Sequence, residues 1–296
     1  MGTVRTKQSR LETEFDIEIP REIYKLSCFV TLTSDVMFVN GIPFLTTLSR
    51  NIRVFSVEFI LYRTAVQLGR SLIKIVRIYT RGGFMVNVIL MDQEFDKVES
   101  EVELMQINTT AAREHVGGIE RGICLIKEHA RGFISTCNFT VIPRQFVIHL
   151  LYFCVMWLNA TPKPNGILDK FSPRELILRR RLGFNKHFRG DFGEYIQAHD
   201  YPDVTNDMKE RTYDSLYLGP TGDIQGTFKA FDVKTGRVKN NRKFTRVPMP
   251  DSVVKLVNNW VKRSQKEHQK KKLEFLNRLQ KKLTGTIMNM MIMKAW

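Results

Sequence analysis

Residues 28–49 read CFVTLTSDVMFVNGIPFLTTLS, and this stretch decides the fold. Cys28–Thr33 and Val36–Val39 are rich in β-branched and aromatic residues, which fit a pleated, half-buried surface. Asn40-Gly41 follows, the dipeptide that most readily supplies the two positive-φ positions of a tight hairpin. Phe44–Leu48 resumes the strand pattern and Ile52–Ile60 continues it, so an antiparallel meander of three strands is expected. Asp35 is out of keeping: it lies between the first two β-rich runs, and aspartate is depleted in strands.

Beyond the meander the period changes. Ala65, Leu68, Leu72, Ile75, Val76 and Tyr79 recur at helical spacing within Arg63–Tyr79, and Gly82-Gly83 stops the helix. Phe84–Met91 is again β-rich and delivers Asp92 at its C-terminal end, where open sheets tend to place their sites. A short polar helix is expected near Phe95–Leu104 and a strand near Met105–Thr110. Over residues 116–134, Ile119, Ile123, Ile126, Ala130 and Phe133 form one apolar stripe.

Pro143–Asn159 predicts a second long helix. Its apolar run Phe146–Leu158 is shorter than the roughly 20 residues of a membrane span, so a buried helix is expected. Ser172-Pro173-Arg174-Glu175 is a capping box with proline at the first helical position. Phe192–His199, Ser215–Leu218, Thr227–Val233 and Val238–Val247 are short strands, punctuated by Gly219-Pro220-Thr221-Gly222 and Lys234-Thr235-Gly236. The fold class is therefore read as α/β: a mixed sheet covered by helices, then a small all-β barrel and a basic helical tail. The corresponding division is an irregular leader over 1–27, a core over 28–185, the barrel over 188–250 and the tail over 251–296.

The charge is unevenly spread. The chain of 296 residues has a formal net charge of +16. Residues 170–190 and 229–246 each hold seven basic and one acidic side chain, and residues 262–282 hold nine and two. The basic surplus therefore belongs to the C-terminal half, and it points to an anionic partner such as nucleic acid. Arg179, Arg180, Arg181, Arg242 and Lys243 are candidate contacts to a phosphate backbone. Leu273, Leu276 and Leu279 would also suit a membrane-surface helix, a reading ranked below DNA contact. Cys28, Cys124, Cys137 and Cys154 contain no C-x-x-C pair, so zinc-ribbon spacing is absent. Such sparse cysteines, with no secretory signal, suit an intracellular chain, nuclear or cytoplasmic.

Three carboxylates stand out by position: Asp35, Asp92 and Glu120, the last just after Gly117-Gly118 at the start of a helix. At about 100° per residue, Lys127 and Arg131 fall within about 20° of Glu120 around the helix axis. An acid beside two stacked cations suits metal binding next to phosphate binding. An acid near a helix N-terminus is also favourable for the dipole alone. Glu94 and Asp96 are alternatives to Asp92, and His115 lies beside the acids in sequence. His187 and His199 have no partner at metal spacing and are read as surface residues.

The residues around the acids carry a resemblance. Gly117-Gly118-Ile119-Glu120-Arg121, with Lys127 and Ala130-Arg131, resembles the G-V-A-E-R…A-R helix of copia-type retrotransposon integrases. Asp92-Gln93-Glu94-Phe95 resembles a shortened form of their D-N-G-G-E-F segment. Asp35, followed by Pro43–Ser49 and Arg53–Glu58, resembles the first catalytic strand and those after it. Trp157-Leu158-Asn159, Ser172-Pro173-Arg174-Glu175-Leu176 and Phe192-Gly193 are similar to the landmarks L-I-N, T-P-Y-E and V-F-G-C. Leu218-Gly219, Gly226–Asp232 and Thr245-Arg246-Val247 resemble the barrel that follows the core. The shared order runs over about residues 28–250.

The resemblance implies a ribonuclease-H-like core and a D-D-E triad of Asp35, Asp92 and Glu120 binding Mg²⁺ or Mn²⁺. The implied activity is metal-dependent DNA strand transfer, with element ends and target DNA as partners, Arg121, Lys127 and Arg131 on phosphate, homo-oligomeric assembly and no membrane. The spacing from Asp92 to Glu120 is shorter than the family's, and no His-His-Cys-Cys module precedes the core. The alternative is thus a catalytically inactive, integrase-derived DNA-binding relic, and the chain reads as a fragment of an element's Pol polyprotein.

Overall fold

The computed structural model describes residues 17–92, 95, 97–98, 106–110, 117–139, 142–164, 166–200, 208, 210–223, 225–260 and 262. Strands β1 (Phe29–Val39), β2 (Ile42–Ser49) and β3 (Phe55–Phe59) form the expected antiparallel meander. Asn40 and Gly41 both take positive φ, 49° and 74°, as a two-residue hairpin of right-handed strands requires. β1 runs unbroken through Ser34-Asp35.

Helix α2 (Ala65–Arg81) follows the meander. It opens on Thr64, whose side chain accepts a hydrogen bond from the Gln67 N–H, and closes at Gly82. β4 (Met85–Asp92) and β5 (Gln106–Thr110) complete a mixed sheet of order β3-β2-β1-β4-β5. β4 pairs parallel with β1, and β5 parallel with β4. Ahead of the sheet, α1 (Arg21–Ser27) occupies part of what the sequence presents as an irregular leader. It has no side-chain cap and no buried residue, so no periodic signal marks it.

The two faces of the sheet bury different residues. Val30, Leu32, Val36 and Ile89 pack with Leu68, Leu72, Ile75 and Tyr79 of α2. Met37, Phe44, Leu48 and Val57 pack with Ile119, Ile123, Ile126 and Ala130 of α3 (Gly117–Ser135) and with α4 (Arg144–Ala160). Each Val, Leu, Ile, Phe or Met side chain among them, taken fully from water, contributes about 1.5–3 kcal/mol. The short polar helix expected over 95–104 lies mostly outside the described residues.

Helices α5 (Pro173–Leu178) and α6 (Phe184–His187) lead to a second sheet. The Ser172 capping box forms as read: its hydroxyl accepts from the Glu175 N–H, and the Glu175 carboxylate accepts from the Ser172 N–H. β6 (Tyr195–His199), β7 (Thr212–Pro220), β8 (Phe228–Asp232), β9 (Val238–Asn241) and β10 (Phe244–Arg246) form an antiparallel sheet of order β10-β6-β7-β8-β9. The run Val238–Val247, expected as one strand, is two: Arg242-Lys243 joins the opposite edges of this sheet. α4 is buried between the sheets, and the Phe146 ring lies edge-on to Phe231 at 4.9 Å. A helix over 251–260 follows; most of the remaining tail lies outside the described residues.

Candidate functional site

The register of β1 against β4 places the two aspartates. Thr33 lies opposite Leu90 in the parallel pair. The pairing ends there, and the same register continued two residues along each strand brings Asp35 level with Asp92. Side chains alternate faces along a strand. Met37, two residues from Asp35, packs on the α3–α4 side, as does Leu90, two residues from Asp92. Both acids therefore belong to the face on which α3 lies, and both are half-buried. The Asp35 carboxylate accepts a hydrogen bond from the Val36 N–H at 2.6 Å.

Glu120 is in the first turn of α3 and exposed. The buried stripe of α3 is the one the sequence shows, and it packs on β1 and β2. Gly122 lets the helix approach Phe55 of β3 so closely that a Cβ would stand 2.6 Å from the ring. β3 lies two places from β1, roughly 9–10 Å at ordinary strand spacing, on the side away from β4. Gly122 thus seats the first turns of α3 against the Phe55 ring, while the helix packs chiefly on β1 and β2. Among the described residues no group of three or more His, Cys, Asp or Glu side chains could hold a metal ion. Asp35 and Asp92 supply oxygen donors of the type Mg²⁺ or Mn²⁺ accepts, but Glu120 does not join them in one donor set.

Lys127 is half-buried on α3, and Arg121 and Arg131 are exposed there. The three consecutive arginines differ. Arg179 adopts the left-handed conformation after α5, donates to the Gly82 carbonyl, and lies over the Tyr24 and Phe84 rings. It fastens α5 to the turn between α2 and β4. Arg181 lies over Phe171 at 5.5 Å, and Arg180 is exposed. Arg242 and Lys243 are exposed at the link between β9 and β10. Glu94, Asp96 and His115 lie outside the described residues, as does nearly all of the basic run 262–282.

His187 is not a surface residue. It is 4% exposed, with Nδ1 at 3.0 Å from the Gly183 carbonyl and Nε2 at 2.9 Å from that of Asp223. It ties α6 to the turn between β7 and β8, a role set by tertiary contacts. Arg189 is likewise structural: it donates to the Gly226 and Arg242 carbonyls and lies over Phe228 and Phe244. No helix among the described residues is long and apolar enough to cross a membrane.

No protein-family profile and no curated protein sequence matches the chain. Solved structures do match, among them the catalytic core domain of BIV integrase. That likeness is 15% identical with a TM-score of 0.38, over 50% of this chain and 93% of the other. Similarity of this order is too low to define shared chemistry.

Proposed function

We propose that the chain is an integrase-like polynucleotidyl transferase of ribonuclease-H-like fold, acting on DNA with Asp35, Asp92 and Glu120 as its acids. The mixed sheet order, with an antiparallel meander on one side of β1 and parallel strands on the other, supports the fold. The observation that carries the reading is the parallel register of β1 and β4, which ends with Thr33 opposite Leu90 and, continued two residues, brings Asp35 level with Asp92 on the face that α3 covers. In strand transfer a DNA 3′-hydroxyl attacks a phosphorus atom, and the displaced 3′-oxygen leaves. The chemistry is positioning and charge neutralisation rather than covalent catalysis by the protein. Divalent ions supply that neutralisation when bound. Asp35 and Asp92 are the pair suited to hold one, and Lys127, Arg121 and Arg131 lie on the helix that carries Glu120.

The copia-type ancestry, homo-oligomeric assembly, a nuclear or cytoplasmic site of action and the reading of the second sheet as a small barrel belong to the same proposal. In it Arg180, Arg181, Arg242 and Lys243 bind phosphate, giving largely sequence-independent affinity.

A second reading is favoured by one specific observation. The three acids do not gather into a single donor set among the described residues, as expected of an integrase-derived DNA-binding protein that has lost its chemistry. Strand transfer on labelled oligonucleotides in Mg²⁺ or Mn²⁺ separates the two. The transferase reading expects product from the wild type and none from Asp92→Asn; equal activity in the two would remove the assigned acids. DNA binding that weakens steeply with salt, without any transfer, would select the second reading.

A further inference from the structure

A cavity of about 280 Å³ lies where β3, α4, α5 and the turn between β7 and β8 meet, and neither Asp35 nor Asp92 lines it. Much of its lining is apolar, including Ile75, Phe153, Met156 and Ile177. Its ionisable side chains are Glu58, His149, Tyr152, Arg174 and Lys229.

Arg174 is the unusual member. Nη2 donates to the Gly222 carbonyl at 3.1 Å, while Nε is buried without a hydrogen-bond partner. Among the described residues no carboxylate pairs with it, and burial lowers its pKa with no acid acting in opposition. Arg174 is half-buried, and its guanidinium has five donors in a fixed fork, so one carbonyl leaves it under-partnered.

The other groups do not supply Arg174 with an anion. Burial raises the pKa of Glu58, a shift that Lys74, at 3.8 Å, and Lys229 oppose, so its carboxylate is already engaged by two cations. His149 is kept neutral at ordinary pH by burial and by Lys229. Lys229 lies over the Tyr152 ring at 5.8 Å. Counting Arg174 and Lys229 against Glu58, the lining carries one net positive charge beside an apolar surface. The volume is near the lower end of ligand pockets, roughly 300 Å³.

From this arrangement we infer that the cavity binds a small amphipathic monoanion, an aryl or branched alkyl carboxylic acid. The carboxylate meets the Arg174 fork, and the apolar body lies against Phe153 and Met156. The flat, bidentate match of carboxylate to guanidinium gives the head-group preference. The apolar lining and the carboxylate of Glu58 disfavour a small polyanion. The inference is independent of the strand-transfer reading, because no acid of that site takes part.

The test is ligand-observed fluorine NMR on the full chain with para-fluorophenylacetate, using para-fluorophenylacetamide as the neutral counterpart and inorganic phosphate as competitor. The expected result is saturable binding of the acid, at least roughly tenfold tighter than the amide because a charge-assisted pair is lost, and not displaced by phosphate. Arg174→Met should weaken the acid by a similar factor. Met156→Trp, which adds bulk to the apolar lining and keeps Arg174 in the chain, should abolish binding, and it decides the matter if Arg174→Met does not fold. Equal affinity for acid and amide, displacement by phosphate, wild-type affinity in Met156→Trp or a folded Arg174→Met, or no saturable signal would each overturn the assignment.

Discussion

His149 shows how much one side chain's surroundings can change its chemistry. It sits on a helix that is otherwise almost wholly apolar, with its ring edge-on to Tyr152 at 6.0 Å. Burial first, and then the charge of Lys229, hold its pKa down to about 4 from an ordinary 6.5. Between those values the unfolded chain binds a proton that the folded chain refuses. The resulting stability is present above pH 6.5 and is lost as pH falls toward 4. Urea midpoints at pH 7 and pH 5 should therefore differ more in the wild type than in His149→Gln; an identical drop in both would assign the loss to other groups. His187 is the contrasting case. Its sequence surroundings are polar and basic, yet it is buried, with both ring nitrogens against carbonyls from separate segments. Neither environment can be read from neighbours in sequence, because both are made by elements that meet only on folding.

At the scale of elements, β3 poses a problem and α4 answers it. An edge strand presents unpaired N–H and C=O groups. Asn159 covers one position on both counts: its Oδ1 accepts from the Phe55 N–H at 2.9 Å, and its Nδ2 donates to the Phe55 carbonyl at 2.7 Å. Two helical turns earlier, the Tyr152 hydroxyl accepts from the Phe59 N–H at 3.2 Å. Asn159→Ala would leave two buried backbone groups unpaired and should cost roughly 2–4 kcal/mol in urea unfolding; a loss within error of zero would show that the edge does not depend on the clamp. The Trp157-Leu158-Asn159 landmark is thus visible in the sequence, but its structural role is not. The meander, α2, the stripe of α3 and the Ser172 cap were legible because each depends on local chemistry: a turn dipeptide, a repeat of three and four, or a reciprocal pair of hydrogen bonds. β1 accommodates Asp35, a residue type depleted in strands, because it is only half-buried and its strand is paired on both sides. The division at Arg242-Lys243 is not legible in the sequence, because a change of pairing partner leaves no mark on strand propensity.

For the whole molecule, α4 joins the two sheets into one apolar layer, with Phe153 beside both Phe133 of α3 and Phe192 ahead of β6. An apolar run of that length is readable as buried, but not the identity of what buries it. Electrostatics at this scale bears on DNA. If Arg242 and Lys243 each neutralise one backbone phosphate, replacing both with alanine lowers the slope of log affinity against log salt by about 1.8. Fluorescence anisotropy across a salt series reads that slope, and an unchanged value would remove both residues from the contact. The register of β1 and β4 leads to a sharper prediction: Asp35 and Asp92 should act together as oxygen donors to a divalent ion on the face that α3 covers. Mn²⁺ binding followed by electron paramagnetic resonance measures this directly. A saturable site is expected in the wild type and its loss in the Asp35→Asn, Asp92→Asn double variant; undiminished binding by a folded double variant would show that the two aspartates hold no ion.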